Sequence, residues 1–280
     1  LVIKTLTEFV YSGDVLTDSW TYRGLVNTDP KKSHTIYAGL EGEEKAQKTY
    51  NYDFAGLVIK TTMVFTCDAD RLIKSVTVKG EDGTVLKSET FYIGAEGEEK
   101  AEKTYNYNAS GTVIKTTTTF EYALDTLAKS YTYKDQDGTI MKSQTFYAGN
   151  EGEEKAQKTW NYSADGLEIK TTTLFTYDAD RLVESETVRE RDGTVLKSRT
   201  FYTGDESEEK AQKTYNYNFD GTVVKTTTTF TYTDDALTRS DTFRGLDGTV
   251  AKSYTVYFGA EGEEKALQTF TYDYAGLVIK

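Results

Sequence analysis

Glu151-Gly-Glu-Glu-Lys-Ala156 runs directly into Gln157-Lys-Thr-Trp-Asn-Tyr162, and these twelve residues decide the fold. The first six form a word that recurs at positions 41, 96, 151, 206 and 261, with Ser207 replacing its glycine once. A fixed spacing of 55 residues marks tandem structural units, each of which mainly contacts its neighbours. In the segment after the word, Ala156, Lys158, Trp160 and Tyr162 alternate with Gln157, Thr159 and Asn161, the two-residue period of a β-strand.

Outward from that strand the unit reads as a meander. Ser163-Ala-Asp-Gly166 is a turn, and glycine recurs at its last position as Gly56, Gly111, Gly166, Gly221 and Gly276. A second strand is expected over 167–177, with Ile169, Thr171, Thr173, Phe175 and Tyr177 on one face, broken by Asp178-Ala-Asp180. A third covers 182–188 and ends at Arg191-Asp192-Gly193. Asp-Gly signals a tight primed hairpin, and it recurs as Asp82-Gly83, Asp137-Gly138 and Asp247-Gly248. A fourth covers 194–202. Only Glu153-Glu-Lys-Ala156 suggests a brief helical turn.

The chain opens on Leu1-Val-Ile-Lys4 and closes on Leu277-Val-Ile-Lys280, the same phase of the repeat. The units are therefore placed at 1–56 (irregular near Pro30), 57–111, 112–166, 167–221 and 222–276, with 277–280 opening another. That phase leads us to expect a piece of a longer array. The fold class expected is all-β: five four-stranded antiparallel meanders in an open elongated array. Four strands per unit also fit a closed five-bladed propeller, but the polar strand centres and the redundant last residues favour the open form.

Composition narrows the functional classes. Hydrophobic residues make up 37% of the chain, so the core is thin, yet 22 tyrosines argue against a disordered acidic polymer. Strand centres such as Lys115-Thr-Thr-Thr-Thr119 suit sheets wet on both sides and held by cross-strand Tyr–Thr and Lys–Glu pairs. A net charge of −12 repels phosphate backbones and speaks against nucleic acid. No apolar run is long enough for a membrane-inserted helix. Cys67 is the sole cysteine and takes a position held elsewhere by Tyr11, Tyr122, Tyr177 and Tyr232, which reads as a drifted core residue.

Tyr50-Asn-Tyr52-Asp53-Phe-Ala-Gly56-Leu57 and Phe175-Thr-Tyr177-Asp178-Ala-Asp-Arg181-Leu182 resemble the tyrosine-aspartate (YD, or RHS) repeats of bacterial and some animal surface proteins and toxins. The resemblance implies β-hairpins wound into sheets, shells or stalks, and an extracellular or cell-surface location on a bacterium. It carries no catalytic residue. Later copies replace Asp53 with Asn108, Ser163 and Asn218, and the acidic word is foreign to the pattern.

The candidate sites follow from the repeat. Tyr50, Tyr52, Tyr105, Tyr107, Trp160, Tyr162, Tyr215, Tyr217, Phe270 and Tyr272 are assigned to packing between units, the other use of such rings being to stack on sugars. Asp68, Asp70, Asp178 and Asp180 are the oxygen donors best placed for calcium, although none has the spacing of a known calcium loop. No cofactor and no enzymatic activity are expected: His34 is the only histidine, and five equivalent units do not make one specialised catalytic centre. The expected function is a structural or adhesive stretch of an extracellular stalk, fibre or sheath. Its partners would be further copies of itself, by polymerisation, and glycans or cell-surface proteins. The alternative is a lectin-like propeller.

Overall fold

A computed structural model describes residues 5–246, 248–259 and 261–277. The Leu-Val-Ile-Lys segment at the start, all but Leu277 of the one at the end, and Asp247 lie outside the described residues. All regular structure among the described residues is β. Four strands fall in each 55-residue period. The first set is β1 (Leu6–Ser12), β2 (Val15–Tyr22), β3 (Lys31–Ala38) and β4 (Lys45–Tyr52). The second is β5 (Ile59–Asp68), β6 (Arg71–Lys79), β7 (Leu86–Ile93) and β8 (Lys100–Tyr107). The third is β9 (Ile114–Ala123), β10 (Thr126–Tyr133), β11 (Met141–Ala148) and β12 (Lys155–Tyr162). The fourth is β13 (Ile169–Asp178), β14 (Arg181–Arg189), β15 (Leu196–Thr203) and β16 (Lys210–Tyr217). The fifth is β17 (Val224–Thr233), β18 (Ala236–Arg244), β19 (Val250–Phe258) and β20 (Lys265–Thr271).

The chain divides into two units, one of Leu1–Glu121 with Ser130–Ile140 and one of Tyr122–Lys129 with Met141–Lys280. In the first, β1 to β9 pair antiparallel, each with its neighbour in sequence. In the second, β11 to β20 do the same. The last strand of one repeat is bonded to the first of the next, as in β4–β5 and β16–β17. Propeller blades are separate sheets, so this continuity corrects the propeller alternative. The sheet is open: among the described residues β1 pairs with β2 and β20 with β19 alone.

Within each unit, among the described residues, a strand touches only its sequence neighbours and no second layer covers either face. The buried set shows the consequence. Its apolar members are Tyr22, Val188 and Ala236, whereas its most enclosed side chains are Thr62, Thr117 and Thr172. Each of these threonines works as a backbone partner. Thr172 Oγ1 donates to the Glu190 carbonyl at 2.9 Å and accepts from the Asp192 amide at 2.9 Å, pinning the β14–β15 loop onto the strand. Thr62 and Thr227 donate likewise to the carbonyls of Gly80 and Gly245, both at 2.7 Å.

A second set of threonines lies in rows across the strands. Thr145 pairs with Thr159 at 2.9 Å and Thr173 with Thr187 at 3.0 Å, while Thr159 stands directly opposite Thr173. The pattern repeats at Thr200–Thr214, Thr228–Thr242 and Thr255–Thr269 in the same unit, and at Thr35–Thr49 and Thr90–Thr104 in the other. Such cross-strand pairs contribute about 0.2–1 kcal/mol each. Their number compensates for the missing apolar core.

Three local expectations change. The tight primed turn is at Asp-Ala-Asp, not Asp-Gly: Ala179 and Asp180 have φ of 45° and 68°, and Asp178 pairs with Arg181 across them. The loop at Asp192-Gly193 is wider, reaching from Arg189 to Leu196, with the Arg189 amide bonded to the Val195 carbonyl. Glycine is required there for space, because a Cβ on Gly193 would lie 2.1 Å from the Arg189 carbonyl oxygen. Second, Glu153 and Glu154 form no helix and Lys155 already begins β12. Third, a bulge opposite Asn161 and Tyr162 inserts Lys170 between Ile169 and Thr171, so these two do not continue one strict alternation. Comparable bulges recur at fixed places in each period, including Thr176/Tyr177 and Thr187/Val188.

The turn joining consecutive repeats constrains its glycine twice. Gly221 has φ of 71°, and a Cβ there would lie 2.5 Å from the Leu196 backbone nitrogen. Gly221→Ala is expected to destabilise the chain by about 1 kcal/mol or more, read as a lower urea midpoint. Thr172→Val, which strands a buried amide and a buried carbonyl together, should cost about 1–3 kcal/mol in the same measurement.

Candidate functional site

A meander reverses at every turn, so the primed hairpin and the acidic word fall at one end of the strands and the glycine turns at the other. The acidic end is built as a stitch. A bulge pairs Cys67 with Leu72, and the β6–β7 ladder stops at Lys74 opposite Phe91, leaving the Leu72 amide past the paired stretch. The fourth residue of the word, Glu99, takes that amide at 2.9 Å through Oε1. Glu44 does this for Leu16, Glu154 for Leu127, Glu209 for Leu182 and Glu264 for Leu237, at 2.8–3.0 Å.

The lysine of the word reaches the other way. Lys155 Nζ lies 3.0 Å from Asp180 and 2.8 Å from Glu206, which are the primed turn and the word of the following repeat. Lys210 repeats the arrangement with Asp235 and Glu261 at 2.7 and 3.0 Å, and Lys45 meets Glu96 at 2.5 Å. The words at 41, 151 and 206 therefore clasp their own hairpin by a glutamate and the next repeat by a lysine. The signal that reveals the clasp is the constant offset of 51 residues between each lysine and its glutamate.

Charge follows the geometry. Bonding from the Leu72 amide holds the Glu99 carboxyl below the ordinary glutamate value, and the Leu16 and Leu237 amides do the same for Glu44 and Glu264. The bond that Lys45 donates to Glu96 holds its ammonium above the ordinary value.

At the opposite end, the aspartate of the Tyr-x-Tyr-Asp stretch caps the turn between repeats. Asp53 Oδ1 accepts from the amides of Leu57 and Val58 at 2.8 and 3.1 Å. Asn108 and Asn218 accept from the two equivalent amides, and Ser163 Oγ from that of Glu168. The drift from Asp to Asn to Ser thus keeps an oxygen acceptor at one place.

The aromatic positions lie in or beside the fourth strand of each repeat, and all ten are half-buried. Their ring contacts run to the third strand of the same repeat: Tyr105 to Phe91, Trp160 to Phe146, Tyr215 to Phe201, and Phe270 to Tyr254, with centroids 4.6–5.8 Å apart. Tyr50 extends a row with Trp20 and His34, the latter two stacked at 3.7 Å. Trp160 also reaches the next repeat, with Nε1 3.2 Å from Asp192 and Arg191 4.3 Å from its ring. Tyr107 donates to Glu89; burial first and that bond second push its hydroxyl up to about 12. Lys31 lies 5.7 Å from the Tyr52 ring, and Tyr272, just past β20, lies 6.1 Å from Tyr254. Tyr162 and Tyr217 complete the set in β12 and β16.

His34 is occupied structurally, 2.8 Å from Asp18 and opposite Tyr50. Cys67 is exposed at the end of β5, which corrects its assignment to a core slot. Two of the tyrosines at that position bond backbone instead, Tyr177 to the Ala156 carbonyl and Tyr232 to that of Ala211. Of the calcium candidates, Asp68 and Asp178 face Arg71 and Arg181, Asp180 faces Lys155, and Asp70 sits in the primed turn. Among the described residues no three His, Cys, Asp or Glu side chains converge as metal ligands would.

No protein-family model and no curated protein sequence matches this chain. Among solved structures, TcdB2-TccC3 without its hypervariable C-terminal region matches at 10% identity and a TM-score of 0.36, over 97% of this chain and 15% of the other. TcdB2-TccC3-TEV matches at 11% and 0.30 over the same shares. A porin-like protein from Bacteroides uniformis matches at 11% and 0.32, over 95% of this chain and 93% of its own. This chain thus spans 15% of the length of the first two.

The clasp makes stability depend on pH in a defined direction. A carboxyl held low in the folded state contributes fully above its unfolded value, near 4.5, and loses that contribution as pH falls through the lower folded value. The urea midpoint should therefore drop below that pH. Glu99→Ala should lower the midpoint at neutral pH more than Glu99→Gln, which keeps an oxygen for the Leu72 amide. Equal effects would show that the amide bond contributes nothing.

Proposed function

We infer that this chain is a scaffold whose work is to extend: a structural or adhesive stretch of a bacterial extracellular stalk, fibre or sheath. The observation carrying this reading is that the join between repeats is the same kind of interface as the joins within them. A β4–β5 or β16–β17 ladder, a capped glycine turn and a lysine–glutamate clasp are available wherever one repeat follows another. Stability in such an array grows by nearest-neighbour increments, so length is adjustable.

The principal partner on this reading is another copy of the same repeat, met at an exposed strand edge, since unpaired edges template further pairing. Surface location is supported by the resemblance of the Tyr-x-Tyr-Asp stretches, and glycans or cell-surface proteins are the further partners it brings. The reading assigns no cofactor and no catalytic residue.

Tandem fusions of one, two and three copies of the whole chain test it by small-angle scattering. The maximum dimension is expected to rise in proportion to copy number, with unfolding free energy rising alongside until cooperativity breaks down. A dimension that stays constant as copies are added would remove the scaffold reading.

A further inference from the structure

One position of the repeat comes in two forms that exchange as a pair. Where the cation at or just past the end of the second strand is arginine, the turn between repeats carries an aromatic ring. Arg23 lies 5.4 Å from the Phe54 ring, Arg189 4.9 Å from Phe219, and Arg244 5.0 Å from Tyr274. Each arginine also donates to a carbonyl of that turn, at 3.0–3.3 Å. Where the cation is lysine the ring is missing: the equivalents are Lys79 with Ala109 and, by sequence, Lys134 with Ala164. A guanidinium stacks on a ring face more readily than an ammonium does. The exchange therefore tracks whether the slot is filled from within.

At Lys79 and Ala109 the slot is open. It forms a cavity of about 340 Å³ lined by Lys60, Lys79, Lys87, Leu86, Tyr107 and Ala109. Three lysines line it and no carboxylate does, in a chain of net charge −12. The corresponding recess beside Phe219 mixes Lys170, Arg189 and Arg191 with Glu168 and Glu190. Apolar walls with a few convergent polar groups are what small-molecule sites consist of.

We propose that this cavity is a binding site for a small aromatic carboxylate. The ring takes the place that Phe54, Phe219 and Tyr274 occupy in the sister repeats, against Leu86 and Ala109. The carboxylate is met by the ammonium groups of Lys79 and Lys87. An aliphatic ring acid lacks the π face for the cations, and a neutral aromatic lacks the charge, so both halves of the ligand are needed.

Titration of the full, isotope-labelled chain with benzoate tests the site by amide chemical shifts. Saturable shifts are expected at Leu86, Tyr107 and Ala109 with a Kd of about 1 mM, weakening as salt screens the lysines. Cyclohexanecarboxylate and benzyl alcohol should each bind at least ~10-fold more weakly, equivalent to about 1.4 kcal/mol. Ala109→Phe fills the slot and should abolish the shifts. Lys79→Gln leaves the slot open and should weaken benzoate about 5-fold. Non-saturating shifts, equal binding of either control, or benzoate binding retained in Ala109→Phe with the remaining spectrum intact would each overturn the assignment.

Discussion

Threonine hydroxyls bonded to one another across strands, and to carbonyls at strand ends, set the terms on which this chain folds. Among the described residues the strands touch only their neighbours, with no second layer to enclose leucine or isoleucine, so large apolar side chains at strand centres would face water. Threonine favours extended backbone through its branched Cβ and tolerates water through its hydroxyl. The rows at Thr145–Thr159 and Thr173–Thr187, and the enclosed Thr62, Thr117 and Thr172, are therefore the nearest thing to a core. Aromatic rings and lysines fill much of the remaining surface as cross-strand and diagonal partners, as at Phe146, Lys158 and Trp160.

The two ends of the strands carry different kinds of connection. At one end the contacts are electrostatic and directional, because a carboxylate accepts a specific amide and a lysine spans to the following repeat. At the other they are steric and local, because a glycine must pass close to the backbone of an earlier strand and an oxygen acceptor must close the turn. Glu154 with Lys155 represents the first kind and Gly221 with Asn218 the second. Cooperation between repeats therefore does not rest on backbone pairing alone.

What could be read from the sequence was what depends on local pattern. The strand from Lys155 to Tyr162 has the expected limits because its alternation is unbroken, and the glycine turn was visible because few residues adopt its φ. The bulge at Lys170 was hidden because an extra residue is defined only by the partner strand. The primed turn at Ala179-Asp180 was misplaced onto Asp192-Gly193 because dipeptide preference is weaker than the closure that Asp178 and Arg181 impose. The role of Glu99 was illegible for a related reason: the amide it serves is left unpaired only once β6 and β7 have found their register.

The uniform joins carry a genetic consequence. Because a capped glycine turn and a ladder across it recur at the joins, a recombination event that deletes or duplicates 55 codons rejoins interfaces of the same kind. A globular protein losing a comparable stretch would lose part of a shared interior. Here unequal crossover changes extent without damage, so populations carrying this gene should differ in copy number far more readily than in the sequence of the joins.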